Sequence, residues 1–195
     1  MFVTAELEHT VQIEPDELDV KFEDCIVEKL NAMLSGKIIK DVGLCITFFS
    51  FTKISPSYIP QGAATIFVPV SFRYLVFVLT QGEVLDCYIL KGTPEGIYCT
   101  TRFFEDIFVP RANMPEGSLF DENTQTWNWH YKNEENEMVF AMDTDLEARV
   151  LIESTTYKDV KVGKHGSPMV VTASMNAPGL GCLSWWQSDE TEEEA

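Results

Sequence analysis

The sequence is poor in basic residues, in histidine and in the glycine-rich loops that hold phosphates. Its 195 residues contain 14 Lys and Arg against 31 Asp and Glu, a formal net charge of −17, with only 3 His. Negative charge repels phosphate, so this composition disfavours tight nonspecific binding to nucleic acid and suits a basic protein partner; solubility alone is an equally simple explanation. Neither GxxxxGK[ST] nor GxGxxG occurs in the sequence.

The sequence also offers no recognisable catalytic or metal-binding motif. His9, His130 and His165 are far apart, and none has a Cys or carboxylate at the spacing of a zinc ligand set. Carboxylates are so numerous that a close pair is expected by chance, and such a pair would not indicate acid–base chemistry. We therefore expect a binding or scaffold protein with no catalytic site, no cofactor and no metal; an enzyme with a hidden His, Cys or carboxylate site is the rival class.

The cysteines do not form a disulfide framework. Their number, five, is odd, and none of them forms a CxxC pair. Three lie in apolar strand patterns, where a free thiol behaves as a small hydrophobic group, and a reducing intracellular compartment is the simplest interpretation. No apolar stretch of about 18 residues and no basic start followed by an apolar run occurs, so we expect neither a transmembrane helix nor a secretory signal.

The first 80 residues predict a strand, a helix and further strands. Residues 2–13 alternate between apolar and polar positions. Pro15 then opens a stretch with apolar residues at steps of three and four as far as Leu34, and Gly36 is well placed as a helix stop. A proline at position 69 indicates an edge position or a bulge in its strand. The further strands are predicted at residues 37–42, 43–51 and 65–80.

The region 81–188 contains many short strand patterns separated by turns, which is typical of a small closed barrel. A barrel that binds single-stranded nucleic acid needs aromatic faces for stacking and some basic residues. Trp127, Trp129 and Tyr131 alternate on one face of a strand, and core packing is the preferred role for most of the aromatic residues. The strands are predicted at residues 83–90, 95–101, 104–109, 126–131, 137–142, 147–160 and 168–175, with residues 110–125 as a polar loop. The candidates for RNA binding are Lys91, Arg102, Phe103, Arg111 and Lys132.

These patterns predict an α+β protein with two domains and a tail. The first is an N-terminal strand–helix–strand domain over residues 1–80, and the second is a β-barrel over residues 81–188. Residues 189–195 are dominated by acidic side chains, a composition that predicts disorder.

A set of short motifs runs along nearly the whole chain in order: MF-V-EL-TV-I-P at the start, DVGLCI at 41–46, VSFRYLVF at 70–77, GEVLDCYI at 82–89, PEGI at 94–97, FFEDIFVP at 103–110, the Trp pair at 127 and 129, and PGLGCLSWW at 178–186. With this set the chain resembles the larger subunit of the RNA polymerase stalk heterodimer, a family with RNA polymerase II, RNA polymerase III and archaeal members. It is most similar to the RNA polymerase III member, because FFEDI-VP and PGLG-LSWW distinguish it from the RNA polymerase II counterpart.

The resemblance implies a non-catalytic, nuclear subunit that supports transcription initiation. It implies a heterodimer with a small helical subunit, an S1-like oligonucleotide/oligosaccharide-binding (OB) barrel near the RNA exit path, and a tip domain that docks on the polymerase core. The residues matching the docking loops are Gly43, Leu44, Cys45, Gly62 and Ala63. The chain departs from the family pattern at Cys87, where glycine is usual, and at Gln61, where an acidic residue is usual.

One alternative function remains at this point. An S1-type RNA-binding module of a translation or RNA-processing factor would share the barrel, and its isolated chain would bind single-stranded RNA in a salt-dependent way. The acidic composition of residues 81–195, with 21 acidic residues and 8 basic ones, argues against it.

Overall fold

The computed structural model describes residues 1–132, 137–158 and 167–186. The chain divides into two compact units, Met1–Val78 and Leu79–Ala195. The predicted acidic tail at residues 189–195 and His165 lie outside the described residues. Among the described helices, none has the length and apolar character needed to cross a membrane.

The first unit is a four-stranded antiparallel sheet with one α-helix. The sheet order is β1-β4-β3-β2. A short 3-10 helix, Pro15–Asp19, connects β1 to the α-helix. The elements are β1 (Phe2–Ile13), α1 (Phe22–Leu34), β2 (Ile38–Ile39), β3 (Gly43–Ile54) and β4 (Ile66–Phe77).

Helix α1 and one face of the sheet form the core of this unit. From α1, the buried side chains are Cys25, Ile26 and Leu30. They pack among alternating residues of β1 and β4, which face one side of the sheet because strand side chains have a period of two. The sheet residues of this core are Val11, Ile13, Cys45, Val68, Val70, Phe72, Tyr74 and Val76.

Two details of the first unit differ from the sequence-based expectation. The stretch that opens at Pro15 is not one helix, because Val20 is extended (φ −103°, ψ 168°) and separates the 3-10 helix from α1. Pro69 lies in the central strand β4, opposite Thr10, so the expected edge position is wrong. Strand β3 ends at Ile54, which pairs with Val70. Pro69 therefore lies one position beyond the end of β3, where the missing N–H of a proline costs little.

The second unit contains nine strands and two short 3-10 helices among its described residues. The 3-10 helices are Arg111–Asn113 and Leu183–Trp186. The strands are β5 (Val84–Thr93), β6 (Gly96–Thr100), β7 (Ile107–Pro110), β8 (Ser118–Asp121), β9 (Thr126–Lys132), β10 (Glu137–Met142), β11 (Glu147–Tyr157), β12 (Met169–Ser174) and β13 (Gly181–Cys182).

Five of these strands close into a barrel. The order is β12-β7-β6-β5-β11, and β11 pairs with β12 to complete the circle. Every pairing is antiparallel except β7 with β12, which is parallel through Ile107–Val171 and Phe108–Thr172. This is the strand order of an OB barrel. The predicted fold class, α+β with an OB-like barrel, is confirmed.

Strands β8, β9 and β10 form a separate antiparallel sheet, which we call the insertion sheet. It lies between β7 and β11 in the chain, so residues 126–142, expected among the barrel strands, are not part of the barrel. The expected loop over residues 110–125 is wrong at Ser118–Asp121, which pairs with β9. The Trp127 indole N–H donates to the Thr93 carbonyl oxygen at 2.8 Å and attaches this sheet to β5.

Candidate functional site

The outer surface of β5, β6 and β7 carries a row of aromatic rings. Tyr88, Tyr98 and Phe108 alternate with buried barrel residues and are half-buried. Tyr98 and Phe108 are direct cross-strand partners, and their ring centroids are 4.8 Å apart. We call these three rings, together with Lys91 and Arg102, the stacking face.

Two cations lie over the rings of the stacking face. Lys91 Nζ is 4.8 Å from the centroid of the Tyr98 ring, and Arg102 Cζ is 4.4 Å from the centroid of the Tyr88 ring. The Arg102 backbone is in the left-handed region, φ +74°, and its N–H donates to Thr100 Oγ1 at 2.8 Å. A non-glycine residue in this region is uncommon and costs conformational energy, so the turn holds Arg102 in a specific place above Tyr88.

A carboxylate limits the positive charge of this face. The Tyr88 hydroxyl donates to Glu147 Oε1 at 2.8 Å, and this hydrogen bond raises the pKa of Tyr88. Aromatic faces stack on bases of any sequence, whereas phosphate contacts need cations. With two cations and one carboxylate, the stacking face is better suited to stacking on unpaired bases than to strong attraction of a phosphate backbone.

The other RNA-binding candidates from the sequence are not among the five residues that define the stacking face. Phe103, adjacent to Arg102, is 50% exposed. Arg111 is exposed at the start of a 3-10 helix, beyond the end of β7. Lys132 is the last residue of β9 in the insertion sheet. The structure thus unites Lys91 and Arg102 on one barrel face and leaves Lys132 on another sheet.

The docking candidates divide into two groups at opposite ends of β3. Gly43, Leu44 and Cys45 begin the strand, are buried and pair with β2 and β4. Gly62 and Ala63 are exposed in the connection that follows the strand's other end. A strand of 12 residues is roughly 40 Å long. The structure therefore does not bring the two groups together.

The same connection exposes two apolar residues that the sequence analysis did not select. Tyr58 is 52% exposed and Ile59 is 60% exposed. The Tyr58 ring stacks on Phe67 at 5.6 Å between centroids, which fixes the loop against β4. The sequence signal for this exposed pair was Ser–Pro–Ser–Tyr–Ile–Pro at residues 55–60, in which a proline lies on each side of Tyr58 and Ile59. Likewise, the stacking tyrosines Tyr88 and Tyr98 could have been found from their alternation with buried residues.

The barrel thiols are not arranged for nucleophilic chemistry. Cys87, Cys99 and Cys182 are buried. Burial raises the pKa of Cys182 to about 12, and a hydrogen bond with Cys87, together with burial, raises the pKa of Cys99. Since the thiolate is the reactive form, Cys99 and Cys182 are weak nucleophiles near neutral pH. Within residues 1–132, 137–158 and 167–186, no cluster of His, Cys, Asp and Glu has a geometry that could hold a metal ion.

Comparison with known proteins gives matches in both units. The family described as RNA polymerase III subunit Rpc25 matches residues 83–167, and an SHS2 domain found in the N terminus of Rpb7p and Rpc25p matches residues 8–62. The chain is 34% identical to DNA-directed RNA polymerase III subunit RPC8 of Bos taurus, over 96% of this chain and 100% of that protein. This chain belongs to the RPC8 family. RPC8 proteins of Schizosaccharomyces pombe and Saccharomyces cerevisiae are 28% and 27% identical over the same shares.

Membership of the RPC8 family confirms the resemblance drawn from the sequence motifs. The similarity covers both units and the whole length of the three relatives. It favours a polymerase subunit over an S1-type module of a translation or RNA-processing factor, since such a module would be expected to match through the barrel alone.

Proposed function

We propose that this chain is a non-catalytic stalk subunit of DNA-directed RNA polymerase III that acts in the nucleus and supports transcription initiation. The observation that carries the proposal is the end-to-end similarity to RPC8 at 34% identity, across both the sheet–helix unit and the barrel unit. A protein that used only the barrel to bind RNA would not need the first unit.

In this proposal the first domain, residues 1–80, docks on the polymerase core, and the chain forms a heterodimer with a small helical subunit. The exposed connection between β3 and β4 supports a docking role, because Tyr58 and Ile59 present apolar surface beside Gly62 and Ala63. Leu44 and Cys45 are buried, so their contribution is to hold the start of β3 in place rather than to offer side chains to a partner.

The barrel domain, residues 81–188, contacts the nascent transcript weakly through the stacking face. Tyr88, Tyr98 and Phe108 offer rings for unpaired bases, and Lys91 and Arg102 supply the cations. The formal net charge of −17 opposes long-range attraction of RNA, so we expect this contact to guide a transcript that is already held by the polymerase.

Co-purification tests the main proposal. A tagged full-length chain, expressed in its own cells at its native level and isolated at moderate salt, should bring down RNA polymerase III subunits and one small helical protein in equal amounts. Recovery of the chain with no polymerase component would refute the proposed function.

Ultraviolet crosslinking in the purified polymerase tests the transcript contact. Arg102→Ala should reduce crosslinking of this chain to nascent RNA several-fold while leaving the subunit composition unchanged, because an exposed cation–π contact contributes only about 0.5–1 kcal/mol to folding. Arg102→Lys keeps the charge and should fall in between. Arg73→Ala, at an exposed arginine of the first unit, is the matched control. Loss of assembly in Arg102→Ala would assign the residue a structural role instead.

A further inference from the structure

Strand β10 is an edge strand of the insertion sheet. The sheet order is β10-β9-β8, and no strand among the described residues pairs with the side of β10 that faces away from β9. We call this side the open edge. A strand edge presents a row of backbone N–H and C=O groups, and these groups can pair with a further strand that lies alongside.

A hydrogen bond on the far side of β9 fixes the direction of the backbone groups of β10. The His130 N–H donates to the Gly117 carbonyl oxygen at 3.2 Å, on the side of β8. Successive residues of a strand direct their backbone groups to opposite sides, so Trp129 directs its N–H and C=O towards β10. Its partner there is Phe140. The backbone groups of Phe140 therefore point to β9 and are used within the sheet.

The two neighbours of Phe140 in the chain, Val139 and Ala141, have the opposite orientation. Their N–H and C=O groups point to the open edge, by the same alternation along the strand. Val139 is 56% exposed, and Ala141 is also exposed. The open edge therefore offers donors and acceptors at two positions that a partner can reach.

The open edge lacks the features that usually protect a strand edge from pairing. Residues 138–142 are Met–Val–Phe–Ala–Met, with no charge, proline or glycine among them. The pairing of β10 with β9 runs from Glu137 to Met142 without a register shift. By contrast, β1 at the edge of the first sheet carries Glu6 and Glu8. Since charges, prolines and bulges are the common protections, the composition of β10 indicates an edge that pairs with another chain.

Strand β10 is held in place without a partner. The Phe140 ring packs against Trp129 at 5.5 Å and against Trp185 at 5.9 Å between centroids. Met142 is buried. Because the strand is already ordered, little of its conformational freedom is lost when a partner binds.

We propose that the open edge binds an extended segment of a partner protein, which adds to the three-stranded insertion sheet as a further antiparallel strand. The backbone of the segment exchanges hydrogen bonds with Val139 and Ala141. Its side chains are uncharged, with a β-branched or aromatic residue opposite Val139, because such residues pack well across strands. Strand β10 contributes no residue to the stacking face or to the connection between β3 and β4, so the inference does not rest on the proposed function.

Two other occupants fit less well. A second copy of the chain carries a formal net charge of −17, so pairing of β10 with its own copy brings two strongly acidic molecules together. The phosphates of RNA accept hydrogen bonds but cannot donate them to the outward carbonyl oxygens, and residues 138–142 contain no cation to attract them. An extended polypeptide supplies both donors and acceptors at the spacing of a strand.

A random 12-residue peptide library displayed on phage supplies the probe. The library is depleted on the Val139→Lys variant and then selected on the purified full-length chain, which isolates peptides that need the open edge. Enriched peptides should share an uncharged central stretch with β-branched or aromatic residues and no proline. Absence of enrichment after depletion would overturn the proposal.

Matched variants locate the binding site. Val139→Lys should lower the affinity for a selected peptide by about ten-fold or more, because a charge on an edge strand opposes pairing. Leu119→Lys is the control, since Leu119 is 55% exposed on the same face of the sheet but lies on β8. Ala141→Lys takes the place of Val139→Lys if that variant does not fold. Equal affinity in the edge variant and the Leu119 control would contradict the proposal.

Backbone measurements separate strand addition from docking through side chains alone. Methylation of single backbone nitrogens of the peptide should weaken binding at alternate positions, because only alternate N–H groups face the edge. On the protein, amide hydrogen exchange at Val139 and Ala141 should slow by about ten-fold or more at saturating peptide, whereas Phe140, already bonded to β9, should change little. A methylation effect without a period of two, or unchanged exchange at Val139 and Ala141, would overturn the proposal.

Sedimentation of the free chain tests the competing occupant. The wild type should remain a monomer as its concentration rises. A concentration-dependent dimer that Val139→Lys abolishes would assign the open edge to a second copy of the chain and would also overturn the proposal.

Discussion

At the scale of single residues, two glycines of the proposed docking set are in very different environments. Gly43 has φ +119°, and a Cβ atom there would lie 2.5 Å from the Phe77 carbonyl oxygen. Gly62 has φ +84° but nothing within 4 Å of the same position. Gly43 is required because another part of the backbone approaches it closely within the sheet. Gly62 is favoured only because its φ is positive.

The contrast predicts different effects of the same substitution. Gly43→Ala should lower the free energy of unfolding by about 3 kcal/mol or more, because strain and a backbone clash add, and Gly62→Ala should lower it by about 1 kcal/mol from strain alone. Chemical denaturation of the two variants measures this difference. Equal losses of stability in the two alanine variants would contradict the structural distinction. Gly62→Val should give a folded protein that docks more weakly on the polymerase core.

A second residue-scale prediction concerns an ion pair on the barrel. Arg149 donates from Nε to Asp86 Oδ1 at 2.7 Å, and this hydrogen bond lowers the pKa of Asp86. A lowered carboxyl pKa stabilises the fold above the ordinary aspartate pKa, and that contribution is lost as the pH falls through the lowered value. The effect is small because both side chains are exposed, Arg149 by 42% and Asp86 by 51%.

Asp86→Asn should therefore be less stable than the wild type at about pH 6, and the difference should shrink towards zero as the pH falls below about 3. Urea denaturation at several pH values measures the difference in the free energy of unfolding. Glu122→Gln, in the exposed β8–β9 turn, is the control. A difference that grows on acidification would mean that Asp86 is not held ionised by Arg149.

At the scale of elements, α1 is attached to its sheet by a polar contact as well as by its apolar face. Asn31 Oδ1 accepts hydrogen bonds from the Phe48 backbone N–H at 2.9 Å and from the Tyr74 hydroxyl at 2.9 Å. Phe48 lies in β3 and Tyr74 in β4, so one amide oxygen joins the helix to two strands.

Asn31→Ala should lower the free energy of unfolding by about 1–3 kcal/mol, because it leaves two donors without an acceptor. Tyr74→Phe removes one of those donors, so the double variant should be less destabilised than the sum of the two single variants by about 1 kcal/mol. Thermal and chemical denaturation of all three variants give this coupling energy. Strict additivity would show that the Tyr74 hydroxyl does not depend on Asn31.

The longer elements were predictable from sequence because their periodicity is strong. Strand β1 has the predicted bounds, Phe2–Ile13, and the face shared by Trp127, Trp129 and Tyr131 follows from alternation on β9. Four-residue β8 was missed because a strand so short has almost no periodic signal and owes its form to pairing with β9. The stacking face was only partly predicted, since the approach of Arg102 to Tyr88 depends on strand register and on a left-handed turn.

At the scale of the whole molecule, acidic charge and a small number of stacking cations predict a particular salt dependence. Each phosphate contact with single-stranded nucleic acid contributes a slope of about −0.7 in a plot of log affinity against log salt concentration. Two cations, Lys91 and Arg102, therefore give a slope of about −1.4. Salt also screens the repulsion between RNA and the acidic protein, which makes the slope shallower still. Fluorescence anisotropy of the full chain with labelled oligo(U) measures it; a slope steeper than about −3 would require cations outside the stacking face.

The topology of the two units has a consequence for biosynthesis. All strands of the first sheet are contained in the first 77 residues, so this unit has every pairing partner once Val78 has left the ribosome. The barrel closes only when Ile107 and Phe108 meet Val171 and Thr172, more than sixty positions later and after the insertion sheet has been made. Non-local pairings of this kind slow folding and leave apolar strands exposed meanwhile. We therefore expect the nascent barrel to be the stage at which this chain most needs chaperones.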